Sequence, residues 1–229
     1  MDPVKEIQLK YYGHSAFQLT KENTSLVFDP FITDNPLTAI KPEAIKCNYI
    51  LVSHGHSDHL GDTVKIATQT GATVIATYEL AGLVAGQGCK TYSLQFGGKV
   101  SFDFGTLRLT PALHGSGVPG GLACGFIVNF YGKTIYFAGD TGLFGDMELL
   151  GKSATIDYAI LPIGGRYTMG PDEALEAVGM LKPQYVIPMH YNTWPEVEQS
   201  PTEFKSAVEK CYPKVKVMII DPNQALILN

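Results

Sequence analysis

Four apolar, strand-like runs in this chain end in a histidine or an aspartate: NYILVS leads into His54, TPALH ends at His114, YFAGD at Asp140 and VIPMH at His190. Each gives way at once to glycine-containing or polar residues. Short runs rich in β-branched and aromatic residues, alternating with helical stretches, are the pattern of an α/β fold. In open α/β sheets, sites collect where strands end and loops begin. The four ends are therefore predicted to meet at one place.

The remaining elements follow the same alternation. IQLKYYG and AFQLT read as a strand pair, SLVFDP as a third strand, and LGDTVKIATQTG as a helix with Gly71 as a left-handed cap. ATVIAT, KVSFD and TLRLTPALH read as strands, and ACGFIVNFYGKTIYFAGD as a hairpin turning at Tyr131-Gly132 or Gly132-Lys133. IDYAILPI is a buried strand. PDEALEAVGMLKP is a helix with Pro171 in its first turn, Asp172 and Glu173 at its positive end, and Ala174, Leu175, Val178 and Leu181 on one face. QYVIPMH, a helix over SPTEFKSAVEKC, and the strands VKVMII and ALILN close the chain. No composition shift or low-complexity linker divides it, so residues 1–229 are expected to form a single domain.

The 229 residues suffice for a sizeable core, and 17 basic against 22 acidic residues leave a net charge of -5. That balance argues against a broad nucleic-acid surface, so no nucleic-acid partner is expected. No apolar run reaches the length that spans a bilayer, and MDPVKEIQLK lacks the form of an export signal, so neither membrane insertion nor export is expected. Cys47, Cys89, Cys124 and Cys211 are far apart without zinc-knuckle spacing and read as reduced thiols of a cytoplasmic protein. A homo-oligomer is compatible with all of this.

SHGHSDHLGD, residues 53–62, packs three of the chain's six histidines and two aspartates into ten positions. Packing gives no reason for such crowding; a metal ion does. Gly55 lets the backbone bend so that His54 and His56 turn to one ion, while Asp58 and His59 at the start of the next helix can turn to a second. Imidazole with carboxylate suits zinc, iron or manganese, and so few local donors require others from distant segments. His114, Asp140 and His190 are the candidates.

With these motifs in order, the chain resembles the metallo-β-lactamase superfamily, whose H-x-H-x-D-H signature is intact over His54–His59. YYGHSAF, DPF, LPIGG, TMGPDEA and MHYNTWP resemble its small metal-dependent hydrolase branch. More distant similarity runs to the ascorbate-phosphate lactonases and the phospholipase-D-like enzymes acting on N-acyl phosphatidylethanolamine. The resemblance implies a four-layer αββα sandwich of two mixed sheets flanked by helices. It implies two divalent ions, zinc first, with manganese, nickel or iron as alternatives. His54, His56 and His114 would ligate one, Asp58, His59 and His190 the other, and Asp140 both. The implied reaction is hydrolysis of an ester, lactone or phosphodiester in a small-molecule substrate by a hydroxide shared between the ions. Two other readings compete: a di-iron redox protein of the same fold, and a non-catalytic metal-binding module.

Around this set, Asp58 is expected to orient the hydroxide, and Asp62, four residues later, to accept a hydrogen bond from a ligating histidine. His14 is expected to contact substrate or donate a proton to the leaving group, or else to be a buried structural histidine. Asp29 belongs near the site or to an Asp-Pro turn. Arg166 in the glycine-containing loop 163–170 could meet an anionic substrate or be a surface charge, and Trp194 could wall the pocket or pack in its loop.

Overall fold

The computed structural model describes residues 4–229. The chain divides into two compact units: one runs to Gly98 and adds Gly115–Cys124 and Ile220–Asn229; the other comprises Lys99–His114 and Gly125–Ile219.

The first unit is built on a mixed seven-stranded sheet. Its strands are Val4–Gly13 (β1), Ala16–Glu22 (β2), Thr24–Phe28 (β3), Tyr49–Leu51 (β4), Thr73–Thr77 (β5), Thr91–Leu94 (β6) and a closing strand, Ala225–Leu228, which pairs with the outer side of β1. The closing strand, β1, β2 and β3 run antiparallel, whereas β3 to β6 are parallel. Of the parallel strands, β3, β4 and β5 read as largely apolar runs because most of their residues are buried, whereas β6 at the edge is partly exposed. Helices Ser57–Leu60 (α1), Thr63–Thr70 (α2) and Tyr78–Ala85 (α3) provide the crossovers. Ile66 and Ala67 of α2 and Leu80, Ala81 and Val84 of α3 join Val27, Ile50, Val52 and Val74 in one core cluster. Each fully buried valine, leucine or isoleucine side chain there contributes about 1.5–3 kcal/mol.

The single helix expected over residues 60–71 is broken at Gly61, which has φ 42°. A Cβ at Gly61 would stand 2.5 Å from the carbonyl oxygen of Pro30, so only glycine lets the chain pass there. Gly71 caps α2 as expected, with φ 72° and its N–H on the Ala67 carbonyl. The sequence pattern gave no warning of α3 or β6.

The second unit carries its own mixed seven-stranded sheet. Its strands are Lys99–Phe102 (β7), Gly105–Pro111 (β8), Cys124–Phe130 (β9), Lys133–Phe137 (β10), Tyr158–Pro162 (β11), Tyr185–Met189 (β12) and Lys216–Val217 (β13), lying in the order β13-β12-β11-β10-β9-β8-β7. The closing strand of the first unit is thus β14. Strands β10 to β13 are parallel. Phe130 pairs with Lys133, leaving Tyr131 (φ 48°) and Gly132 (φ 90°) as a two-residue turn with both φ positive.

The helices of this unit are Met147–Ser153 (α4), Pro171–Leu181 (α5) and Pro201–Cys211 (α6). Helix α5 begins at Pro171 as expected, and the Glu173 carboxylate reaches back to the Gly170 N–H at 2.7 Å. Its inward face is Ala174, Ala177, Val178 and Leu181; Leu175, expected inside, is half-buried. Helix α4 was not visible in the sequence pattern. Of the strand expected over 215–220 only Lys216–Val217 pairs, because the chain passes to the first unit at Ile220. Two mixed sheets flanked by helices are what the sequence implied. Among the described residues no helix is long and apolar enough to cross a membrane.

Candidate metal centre

In the first unit the parallel pairing of β3 with β4 decides which polar residues meet. Phe28 is opposite Leu51, and the Asp29 N–H donates to the Leu51 carbonyl at 3.0 Å, so Asp29 and Ser53 emerge side by side beyond the two strand ends. Asp29 is fully buried and has φ 40°, a left-handed conformation that aspartate tolerates better than most residues. Its Oδ1 accepts the Ser53 N–H at 2.7 Å, and its Oδ2 accepts the Ser53 hydroxyl at 2.6 Å and His59 Nδ1 at 2.7 Å.

The Ser53 hydroxyl, its proton committed to Asp29, is 2.9 Å from His54 Nδ1 and therefore accepts from it. This network assigns the tautomers: both Nδ1 atoms carry hydrogen, and Nε2 of His54 and His59 present lone pairs. His54 Nε2 is 2.9 Å from His56 Nδ1. Gly55 makes the bend between them and donates its N–H to the Ser116 carbonyl at 2.7 Å. The site-facing loop 115–121 lies close behind, since a Cβ at Gly117 would meet the His56 backbone nitrogen at 2.7 Å.

Asp58, a quarter exposed, places Oδ2 3.9 Å from His59 Nε2 and 3.3 Å from His14 Nε2. His14 is fully buried at the tip of the β1–β2 hairpin. The chain-adjacent donors of SHGHSDH and the distant His14 and Asp29 thus converge within one unit.

In the second unit the parallel register of β10, β11 and β12 does the corresponding work. Phe137 is opposite Ile160 and Ile160 opposite Ile187, so the residues following β10 and β12 emerge at the same end of the sheet. Asp140 Oδ2 is 3.0 Å from His190 Nε2 and 3.6 Å from His114 Nε2. Thr141 anchors the loop holding His114: its hydroxyl accepts the Leu113 N–H at 2.9 Å, while the Gly142 N–H donates to the Leu113 carbonyl at 3.1 Å. His190, almost fully buried, has φ 57°. Gly164 lies against it so closely that a Cβ there would collide with the His190 carbonyl oxygen. In the glycine-containing loop 163–170, Gly164 is therefore required for close approach.

The outlying candidates sort differently. Asp62, expected to support a ligating histidine, instead ties down the loop after β3: it accepts the Thr33 N–H at 2.7 Å, the Thr33 hydroxyl at 2.7 Å and the Ile32 N–H at 3.2 Å. Its N–H is bound to the Pro30 carbonyl, which turns the side chain toward that loop, and Asp29 makes the hydrogen bond to histidine. Arg166 is exposed and lies over the Tyr167 ring at 5.5 Å. Trp194 is 37% exposed.

Donor atoms sharing one ion at 2.0–2.2 Å stand roughly 3.0–3.6 Å apart. The distances of 3.0 and 3.6 Å about Asp140 match such edges, and the 2.9 Å between His54 and His56 falls just short of one. The buried carboxylate behind His59 is the outer support that metal-binding imidazoles use. These residues fit a metal centre.

A fold of two mixed sheets whose strand ends carry histidine and aspartate donors of this kind defines a metal-dependent hydrolase. A family model described as beta-lactamase superfamily domain matches residues 8–190, and the chain belongs to that superfamily. Over 230 residues it is 49% identical to a UPF0173 metal-dependent hydrolase of Pelotomaculum thermopropionicum, covering 97% of this chain and 100% of the relative. A UPF0173 metal-dependent hydrolase of Desulforamulus reducens is 50% identical over 96% of this chain and 99% of its own. Among solved structures, Igni18, a metallo hydrolase from Ignicoccus hospitalis, superposes with a TM-score of 0.91 at 36% identity, covering 97% of this chain and 98% of that one.

Proposed function

We propose that the protein is a binuclear hydrolase of a small-molecule ester, lactone or phosphodiester, with His54, His56 and His114 serving one ion, Asp58, His59 and His190 the other, and Asp140 both. The observation that carries this reading is the pair of donor sets: His54, His56, Asp58 and His59 in the first unit, and Asp140 flanked by two histidine Nε2 atoms at 3.0 and 3.6 Å in the second. Neither set supplies the ligands two ions require, and the family match spans both. Two divalent ions, zinc before manganese, nickel or iron, would supply an acidified water and an electrophile for the substrate oxygen.

The chain's own residues do the rest. Asp29 and Ser53 fix the His54 and His59 rings, so no reorganisation is needed when ligands and substrate are in place. Asp58, the partly exposed carboxylate of the set, accepts a hydrogen bond from the attacking water and sets its direction. Burial of His14, His59, Asp140 and His190 keeps bulk water from the reacting groups. The exposed Tyr167, Trp194 and Leu113 in the second unit offer apolar surface to the organic part of a substrate, and Arg166 an anion partner.

We further propose that the two units fold as one domain, since the chain passes between them four times, after Gly98, His114, Cys124 and Ile219. A cytoplasmic setting is supported by four free cysteines. The test is a panel of esters, lactones and phosphodiesters assayed with protein of measured metal content. Two ions per chain and turnover of at least one panel member are expected, and Asp140→Asn should lower kcat/KM by roughly 10³-fold with the circular dichroism spectrum retained. Unchanged turnover in that variant would refute the shared role of Asp140.

A further inference from the structure

We propose that His14 is a direct ligand, through Nε2, of the ion held by Asp58 and His59. The proposal rests on the binuclear reading and adds a residue to it. The donor atoms of His14, Asp58 and His59 all lie within 4.8 Å of one another, at 3.3 Å for His14 to Asp58 and 3.9 Å for His59 to Asp58. An imidazole paired to a carboxylate closes to about 2.7–2.9 Å. The same unit provides the comparison, because His59 Nδ1 stands 2.7 Å from Asp29. At 3.3 Å, His14 and Asp58 are at the separation of two donors sharing an ion.

The backbone is built to deliver that nitrogen. His14 is fully buried and held at φ 57°, a conformation unfavourable for a side-chain-bearing residue and found where surrounding structure imposes it. Three contacts impose it. The Tyr11 hydroxyl donates to the His14 carbonyl at 3.1 Å, the Asn35 amide reaches the Gly13 carbonyl at 3.4 Å, and a Cβ at Gly13 would stand 2.6 Å from Leu37 Cβ. The Phe31 ring meets the imidazole edgewise at 5.7 Å and the His59 ring at 5.5 Å, which fixes its plane. A histidine kept only for packing would not need a strained hairpin tip aimed at the one carboxylate in the set with solvent access.

With His14 included, the first unit alone contributes two imidazoles and a carboxylate to this ion. Adding the proposed second-unit donors raises the count beyond four, so the ion at this position, zinc included, would have to accept five or six ligands rather than a tetrahedral four.

The test uses cobalt(II) as probe and His14→Asn, since asparagine tolerates the left-handed backbone. The metal-free full-length wild type and variant are titrated while metal uptake and the visible cobalt bands are followed, with thermal unfolding as a control on folding. The wild type should bind two equivalents. The variant should bind one of them at least tenfold more weakly, and that ion's visible bands should intensify as its coordination number falls. Two equivalents in the wild type with unchanged affinity and bands in the variant overturn the proposal alone; a single equivalent in the wild type overturns the binuclear reading and the proposal with it. Should the variant not fold, crystals of the cobalt-loaded wild type decide: His14 Nε2 at bonding distance, about 2.1 Å, supports ligation, and separation beyond 3 Å refutes it.

Discussion

The two units assemble their donors in opposite ways. In the first, His54, His56, Asp58 and His59 are nearly consecutive and are stiffened from behind by a buried chain of hydrogen bonds through Ser53 to Asp29. In the second, His114, Asp140 and His190 are widely separated in sequence and meet because β10, β11 and β12 run parallel in register and Thr141 ties the His114 loop down. The first set depends on side-chain hydrogen bonds that one substitution can remove. The second depends on a backbone ladder that distributes the same task over many bonds. Support for a metal site can thus be concentrated in one buried carboxylate or spread across a sheet.

The sharpest way to break this contrast is to remove one support from each unit. Asp29→Ala leaves the Ser53 N–H and hydroxyl and the His59 Nδ1–H without their acceptor. Metal affinity should fall 10–100-fold and stability by roughly 2–4 kcal/mol, read by metal titration and denaturant unfolding. Thr141→Val removes the bond from the Leu113 N–H and the hydroxyl's own bond to the Gly142 carbonyl at 2.7 Å, and should change affinity by no more than about threefold, since the neighbouring backbone bond between Gly142 and Leu113 remains. Equal effects from the two variants would show that support is not concentrated as described.

Two glycines sharpen it at the next level. Gly61→Ala forces a Cβ within 2.5 Å of the Pro30 carbonyl at φ 42° and should cost about 1–3 kcal/mol, with the shift also felt by the loop after Asp29. Gly132→Ala, at φ 90° with nothing within 4 Å, carries the left-handed strain without the crowding and should cost less, about 1–2 kcal/mol in the same unfolding assay. A reversed order would mean that strain at the hairpin, not crowding near the site, limits the fold.

The smallest effect concerns pH. Burial pushes Tyr12 up to about 12 and Cys47 up to about 11, both in the first unit. A group whose folded pKa is raised favours folding below its unfolded value and loses that contribution as pH climbs toward the folded one, so the loss spans about pH 9 to 12. Denaturant unfolding at pH 10 should show about 1 kcal/mol less stability than at pH 8, and Tyr12→Phe with Cys47→Ala should flatten that slope. An unaltered slope would place the alkaline sensitivity elsewhere.

The legible part of the candidate site was the part written contiguously. HSDH and its flanking glycines announce metal donors because nothing else explains that density of histidine. Asp29 and Asp62 were harder to rank, since spacing alone favoured Asp62; the adjacency of the β3 and β4 ends gives the histidine contact to Asp29. The direction of His14 was equally hidden, because a left-handed φ at a histidine leaves no mark in its neighbours beyond the preceding glycine. Helices α3 and α4 escaped notice because both are short, Tyr78–Ala85 and Met147–Ser153, each contains a glycine, and neither begins with a side-chain cap.

The sequence by itself determined the chemistry on offer and the class of fold: which side chains can hold a cation, and a hydrophobic rhythm of strands and helices that admits mixed sheets. Tertiary structure alone decided which donors stand together inside each unit, which carboxylate backs which imidazole, and where the backbone must be glycine. The reason is that residue type and periodicity are local properties. Distances between strand ends follow from sheet order and register, which are fixed only when the whole core packs.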